Sequence, residues 1–311
     1  MYVVGISVVR DEVDVVEASI RHALRVLCDR VVVLDNGSED GTWELLVELS
    51  RDLPLDITRD CGPFNQPAMM TGLLQEVSSA HPTWVVPFDA DEFWWSLDTA
   101  PREALSAVPD EVGVLRCTVA NFVADRRNRD MDAMSLLTMT YRSLGSWATK
   151  ADVLEGRAGF VELRYPPKIV LRPSRDVRIE PGQHGARGHA RDTRSGAWLT
   201  CLHAPIRSMA QLQKRAALAN RHTEAARCAG HNGSWQFRYW DALAKRDVLE
   251  EEWIRNSHAR GVLGRWYRQR LVRDTTLVQL VRRAGRSSLA GPTVRPGRGR
   301  GTMRPVAVIR R

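Results

Sequence analysis

Asp89 and Asp91 stand one residue apart in Val85-Val86-Pro87-Phe88-Asp89-Ala90-Asp91-Glu92-Phe93-Trp94-Trp95. A short apolar run, led by Trp84, ends abruptly in three acids and aromatics follow. The run has the length and β-branching of a buried strand, so the acids fall at its carboxyl end, where open α/β sheets bind ligands. On an extended chain the two aspartates point the same way and can share a hard divalent cation. Mg²⁺ and Mn²⁺ take carboxylate and water oxygens and commonly share them with a phosphate. Acids at a strand end also occur as an ordinary turn, so the elements around them carry the argument.

Those elements alternate. Residues 2–9 form a nearly continuous Val, Ile and Gly run, closed by Val9-Arg10-Asp11-Glu12. A helix follows with Val13, Val16, Ile20, Ala23, Leu24 and Leu27 at helical spacing, and Asp11 is placed to cap it. Arg30 to Leu34 is a second strand. It enters the turn Asp35-Asn36-Gly37-Ser38-Glu39-Asp40-Gly41-Thr42, with Asp40 before the next helix. A strand from Leu55 to Thr58 and a helix opening at Asn65-Gln66 lead to the acidic strand. This alternation predicts an α/β fold with a doubly wound, mostly parallel sheet.

Three of these segments, in order, resemble the signatures of family 2-type glycosyltransferases: Val9-Arg10-Asp11-Glu12, Val33-Leu34-Asp35-Asn36-Gly37-Ser38-Glu39-Asp40-Gly41-Thr42, and Phe88-Asp89-Ala90-Asp91-Glu92-Phe93. The closest subgroup is the bacterial one whose metal motif reads Asp-x-Asp-Glu-Phe. The resemblance implies a GT-A-like fold and transfer of a sugar from a nucleoside-diphosphate sugar to an acceptor hydroxyl, with Mn²⁺ or Mg²⁺ and inversion at the anomeric carbon. By position it implies that Asp35 accepts from the donor's base with Asn36 nearby, and that Gln66, Asp89, Lys168 and Arg207 meet the nucleotide sugar. Asp89, Asp91 and His203 would hold the metal. Turn chemistry is the alternative for Asp35 and Asn36, and a helix cap for Asn65.

Lys168 belongs to Pro167-Lys168-Ile169-Val170-Leu171-Arg172-Pro173, similar to a family strand that leads into an Arg-Pro corner. Pro181-Gly182-Gln183-His184-Gly185 departs from the family's Gly-Asn-His, with Gln183 in place of Asn. His203-Ala204-Pro205-Ile206-Arg207-Ser208 resembles the family's His-x-Pro-x-Arg-Ser, and imidazole is a reasonable Mn²⁺ ligand. Inversion needs a general base. Asp125, Asp130 and Glu180 are candidates by region alone.

Composition bounds the rest. The 311 residues, 43% of them hydrophobic, suffice for a large α/β domain with an appendage. The division expected is 1–207 for the nucleotide-sugar and acceptor domain, 208–285 for a C-terminal helical region, and 286–311 for a basic disordered tail. The formal charge of +8 is uneven: residues 286–311 carry +7, residues 255–285 another +7, and residues 1–254 carry −6. Specific nucleic-acid binding through the core is therefore not expected, and any polyanion contact belongs at the basic end. Aromatics among the arginines of 262–273 suit an anionic membrane surface, or a helix packed on the body with its arginines outward. Five cysteines without a Cys-x-x-Cys spacing read as reduced thiols. The opening residues read as a strand and not a signal peptide, so a cytoplasmic protein, peripheral on the inner membrane face, is expected. Two rival readings are a non-catalytic polyanion- or membrane-binding protein with an inactive transferase body, and a sugar-phosphate nucleotidyltransferase. The second should carry a Gly-rich loop after the first strand, and Val8-Val9-Arg10-Asp11-Glu12 has none.

Overall fold

A computed structural model describes residues 1–144, 148–219, 235–259, 270–285 and 309–310. The first half alternates as the sequence predicts: β1 (Val3–Val9), α1 (Val16–Val26), β2 (Arg30–Asp35), α2 (Thr42–Asp52), β3 (Leu55–Asp60), α3 (Gln66–Ser78) and β4 (Trp84–Pro87). These strands pair in parallel in the order β4-β1-β2-β3. β1 shows why both faces are covered. Val3 and Val9 join the core under α1 and α2, while Val4, Ile6 and Val8 join Met70, Leu73 and Leu74 of α3 on the other face. Side chains alternate along a strand, so an unbroken apolar strand needs a helix layer on each side.

The acidic strand is continued by β5 (Glu92–Trp95), α4 (Pro101–Ser106) and the long β6 (Val112–Asp125), followed by β7 (Tyr141–Ser143) and α5 (Lys150–Leu154). β8 (Lys168–Leu171) then enters the sheet between β4 and β6, antiparallel to both. β9 (Arg178–Ile179) and β10 (Ala186–Arg187) make a small ribbon, and β11 (Asp192–His203) runs parallel to β6 and antiparallel to β5. The whole is an α/β fold with a mixed, mostly parallel sheet. Reversal of β8 carries its first residue, Lys168, to the end of the sheet where β1 and β4 finish.

Beyond the sheet lie α6 (Met209–Ala217), α7 (Trp235–Lys245), α8 (Leu249–Arg255), β12 (Ser257–His258), β13 (Leu271–Arg273) and α9 (Thr276–Gly285). The sequence pattern predicts one helical stretch over 249–285. It is interrupted because Ser257–His258 pair with the end of β6 and Leu271–Arg273 with β7. α9 lays Leu277 and Val278 into the core and leaves Arg282 and Arg283 exposed. The expectations for residues 220–234, for Val262, Trp266 and Tyr267, and for the tail from 286 to 308 lie outside the described residues. Among the described cysteines, Cys28, Cys61, Cys117 and Cys201 are unpaired. No helix among the described residues is long and apolar enough to cross a membrane.

Candidate active site

The acidic turn is locked from both sides. Phe88 and Phe93, which bracket it, are 1% and 0% exposed. Gly5 of β1 makes room for the first: a Cβ there would lie 3.0 Å from the Phe88 ring and 3.1 Å from Cys28 Sγ. The Asp89 N–H donates to Glu92 Oε2 at 3.2 Å, the Glu92 N–H to the Asp89 carbonyl at 3.1 Å, and the Ala204 N–H to the Asp91 carbonyl at 2.9 Å. Backbone and core thus hold the turn before any ligand arrives.

The chain turns at Ala90–Asp91 and does not run on extended, so the two aspartates diverge. Asp89 faces a polar cluster: Lys168 Nζ lies 2.7 Å from its Oδ2, and the Gln66 and Gln183 side-chain amides donate to its Oδ1 at 3.0 and 3.1 Å. Lys168 Nζ also lies 2.6 Å from Glu92 Oε1 and donates to Gln183 Oε1 at 2.8 Å. Burial pushes the Glu92 carboxyl up to about 8 against the pull of Lys168. Burial disfavours the Lys168 cation, but Asp89 and Glu92 outweigh it and raise its pKa.

Asp91 faces the other way. Its Oδ2 lies 3.0 Å from Arg215 Nη2 and 3.6 Å from Arg207 Nη1, and its Oδ1 lies 3.6 Å from His203 Nε2. Burial opposes its ionisation, yet His203 and the two guanidiniums outweigh burial and hold the carboxyl at about 2. His203 is brought down to about 4, chiefly by burial, so it is neutral at pH 7. Its tautomer follows from its neighbour. Asn121 Nδ2 donates to the Val161 carbonyl at 3.1 Å, which turns Asn121 Oδ1 to His203 Nδ1 at 2.8 Å. The proton therefore sits on Nδ1, and the Nε2 lone pair faces a carboxylate oxygen. Two acceptors face to face suit a cation between them, and a hydrogen-bonded far nitrogen is the usual support of a metal-bound histidine. Asp91, Glu92 and His203 offer ligand atoms that all lie within 4.8 Å of one another. The donor set, the Asp91 carboxylate, the Glu92 carboxyl group and an imidazole, fits Mn²⁺ or Mg²⁺, with Glu92 giving up its proton to the ion's charge.

A cavity of about 850 Å³ opens here, walled by Gln66, Asp89, Asp91, Tyr165, Lys168 and His203 among others. The face of α6 that lines it repeats at helical spacing, Gln211, Lys214, Arg215 and Leu218. Ser208 caps that helix by accepting from the Gln211 N–H at 3.1 Å. Lys214 reaches Asp40 at 3.1 Å and Asp11 at 3.7 Å, so charge docks α6 onto the loops after β1 and β2. Asp11 does not cap α1; its Oδ1 accepts from the Glu39 N–H at 2.7 Å and ties those two loops together.

Other residues expected from the sequence sit elsewhere. Arg207 is fully buried, bound to Asp14 at 2.7 Å and Glu12 at 2.5 Å, and does not line the cavity. Asn36 donates to the Asp60 carbonyl at 2.8 Å and the Gly62 carbonyl at 3.2 Å, which pins the β2 and β3 ends. Asp35 Oδ1 accepts from the Gly37 and Ser38 N–H groups at 3.1 Å each, while its buried Oδ2 has no hydrogen-bond partner. Of the base candidates, Asp125 is buried against Arg127 at 2.9 Å, Asp130 is exposed, and Glu180 pairs with Arg187 at 2.5 Å. None of the three lines the cavity. Arg215, Tyr165, Asn121 and Gln183 enter the site without having been chosen from the sequence. Arg215 carried one signal, its place on a polar face of an otherwise Ala-rich helix.

No protein-family model matches the chain, and no curated protein matches it. Solved structures do resemble it, at low identity. S. aureus TarS 1-349 superposes with a TM-score of 0.39 and 12% identity, covering 81% of this chain and 70% of that one. The mannosyltransferase PcManGT from Pyrobaculum calidifontis, in complex with GDP-Man and Mn²⁺, gives a TM-score of 0.39 and 16% identity over 91% of this chain and 85% of that one. Glucosyl-3-phosphoglycerate synthase from Mycobacterium tuberculosis gives 0.27 and 13% over 38% and 44%. Scores of this size leave the chain's own sheet order as the ground for its fold class.

Proposed function

We propose that the protein is a nucleotide-sugar-dependent glycosyltransferase of the GT-A type. One observation carries the reading: a rigid acidic turn at the carboxyl ends of β1 and β4 aims Asp91 at the lone pair of a neutral, tautomer-fixed His203, inside a cavity of about 850 Å³ that also holds the buried cation Lys168. Asp91 and His203 would hold Mn²⁺ or Mg²⁺, with Glu92 beside them. Bound there, the ion supplies Lewis-acid stabilisation of the charge that develops on a leaving diphosphate. Asp89 orients Lys168, and Lys168 places a fixed positive charge at the same end of the cavity. Asn121 keeps the proton on His203 Nδ1.

Thermal unfolding with UDP, GDP, CDP and dTDP, each with and without Mn²⁺, tests the reading. A ligand present at a hundred times its dissociation constant adds roughly 2.7 kcal/mol. The expected result is a metal-dependent rise with one nucleotide that Asp91→Ala abolishes. No rise with any of the four overturns the transferase reading.

A further inference from the structure

The charges around the candidate active site are not all spent within it. Among the described residues six cations line the cavity, and four of them face acids. Arg10 lies 3.8 Å from Asp11, Lys168 is held by Asp89 and Glu92, Lys214 by Asp40 and Asp11, and Arg215 by Asp91 and Glu12. These pairs also take up every acid of the lining, Asp11, Glu12, Asp89 and Asp91. Lys150 and Arg164 remain. Both are exposed, and neither has an acidic partner among the described residues.

These two cations share one wall. Ala148 and Leu163 form a parallel bridge, and the Arg164 N–H donates to the Ala148 carbonyl at 3.3 Å. Lys150 opens α5, which Thr149 caps by accepting from the Asp152 N–H at 3.3 Å. Lys150 Nζ lies over the Trp235 ring, 5.2 Å from its centroid, so the charge and an aromatic face are set side by side. Tyr165, half-buried, follows Arg164. Its ring lies 4.7 Å from that of His203, and its hydroxyl has no hydrogen-bond partner among the described residues. Asn121 of β6 donates to the Val161 carbonyl, which fixes this wall to the β6 side of the sheet order β6-β8-β4-β1-β2-β3. Lys168 of β8 and the acidic turn after β4 come between the wall and the loops after β1 and β2. A donor diphosphate is met by the metal and Lys168, so charge on the far wall answers to the other substrate. A neutral acceptor would bring nothing for the two cations to meet. We propose that the acceptor is an anionic hydroxyl compound, its phosphate or carboxylate met by Lys150 and Arg164 and its carbon skeleton packed on Trp235. This rests on the transferase reading above and names the class of its second substrate.

Calorimetric titration of the full chain with matched probes tests the proposal: glycerol against glycerol 3-phosphate, and glucose against glucose 6-phosphate and glucuronate. Each is titrated with and without Mn²⁺ and each of the four nucleoside diphosphates. A charged probe should bind at least about tenfold more tightly than its neutral partner and lose that margin at high salt. Glucose 6-phosphate against glucuronate separates phosphate from carboxylate. Lys150→Gln and Arg164→Gln change exposed side chains, and a ligand-free melt coincident with wild type shows that each is folded. Each should weaken binding of the charged probe about tenfold and close its margin over the neutral one. Equal binding of charged and neutral partners, binding of no probe, or undiminished binding by both folded variants overturns the proposal. So does loss of the nucleotide-dependent melt in the variants, because the two cations would then serve the donor. Failure of the transferase reading is seen apart from these, as no nucleotide-dependent rise in wild type. Charged-probe binding without that rise marks an anion site that is not an acceptor site, and overturns the proposal as well.

Discussion

Arg215 holds the place that a cation would take at Asp91, and removing it should tighten metal binding. The guanidinium lies 3.0 Å from Asp91 Oδ2 and also donates to the Pro205 carbonyl at 2.5 Å. At an effective dielectric near 20 a unit pair separated by about 4 Å interacts by roughly 4 kcal/mol, so a dication beside the same guanidinium meets roughly twice that with the opposite sign. Full repulsion is not paid, because the Arg215 side chain is 18% exposed and can swing toward other anions, whereas Arg207 is 0% exposed and fixed. A residual of about 1.4–2.8 kcal/mol corresponds to ten- to a hundredfold in affinity. Arg215→Gln keeps an amide to meet the Pro205 carbonyl. Titration calorimetry without nucleotide should show it binding Mn²⁺ ten- to a hundredfold more tightly than wild type. A nucleoside diphosphate should then improve Mn²⁺ binding more in wild type than in the variant, because the diphosphate gives the wild-type arginine another partner. Equal Mn²⁺ affinity in the two proteins refutes the competition argued here, and loss of binding in the variant shows that Arg215 helps to build the site.

Three further outcomes follow from buried groups. Lys168→Met leaves Asp89 and Glu92 without their shared cation and should cost on the order of 3–5 kcal/mol in denaturant unfolding, with Glu92→Gln in the same chain recovering part of it. Asn121→Leu frees the His203 tautomer and should weaken Mn²⁺ binding about ten- to a hundredfold by calorimetry below its melt, which also falls because the Val161 carbonyl loses its donor. His22, buried with its Nε2–H donated to the Trp94 carbonyl at 2.8 Å, is pushed by burial from 6.5 down to about 4. Above pH 6.5 it is neutral folded or unfolded; between 6.5 and 4 only the unfolded chain takes up the proton. Stability should therefore fall through that window by roughly 3 kcal/mol and level off below it, and His22→Gln should lack this component when the two unfolding profiles are compared.

The sheet was legible because its strands are buried on both faces. Continuous Val and Ile in Val3–Val9 and Arg30–Asp35 cannot be told from a helix segment by period, but punctuation by Asp-Asn-Gly-Ser and by Asn65-Gln66 resolves it. The acidic turn was legible for the same reason, since charge following an unbroken apolar run has to mark a strand end. What stayed hidden depends on contacts distant in sequence. Arg215 meets Asp91 across 124 residues and Asn121 meets His203 across 82, and neither pair has a local signature. The helix expected over 249–285 failed on a similar ground, because Ser257 and His258 are claimed by the edge of β6. Local propensity gives way wherever an unpaired strand edge offers backbone partners.

Divergence of the two aspartates changes what the Asp-x-Asp spacing does in this chain. Had the turn been extended, both carboxylates would face one ion and Lys168 would have no anionic partner at the strand end but Glu92. The bend at Ala90–Asp91 instead divides the acids between two jobs. Asp89 steadies a buried ammonium with the help of Gln66 and Gln183, and Asp91 is left to the imidazole and the α6 guanidinium. Gln183 has a part in the same cluster: its amide bridges Lys168 and Asp89, 2.8 and 3.1 Å away. The added methylene of Gln over Asn supplies about 1.3 Å of reach, so a shorter amide in its place would lose one of the two partners. Gln183 and the aspartate that turns away from Asp91 therefore serve one end, a lysine held in place by an acid, an amide and Glu92.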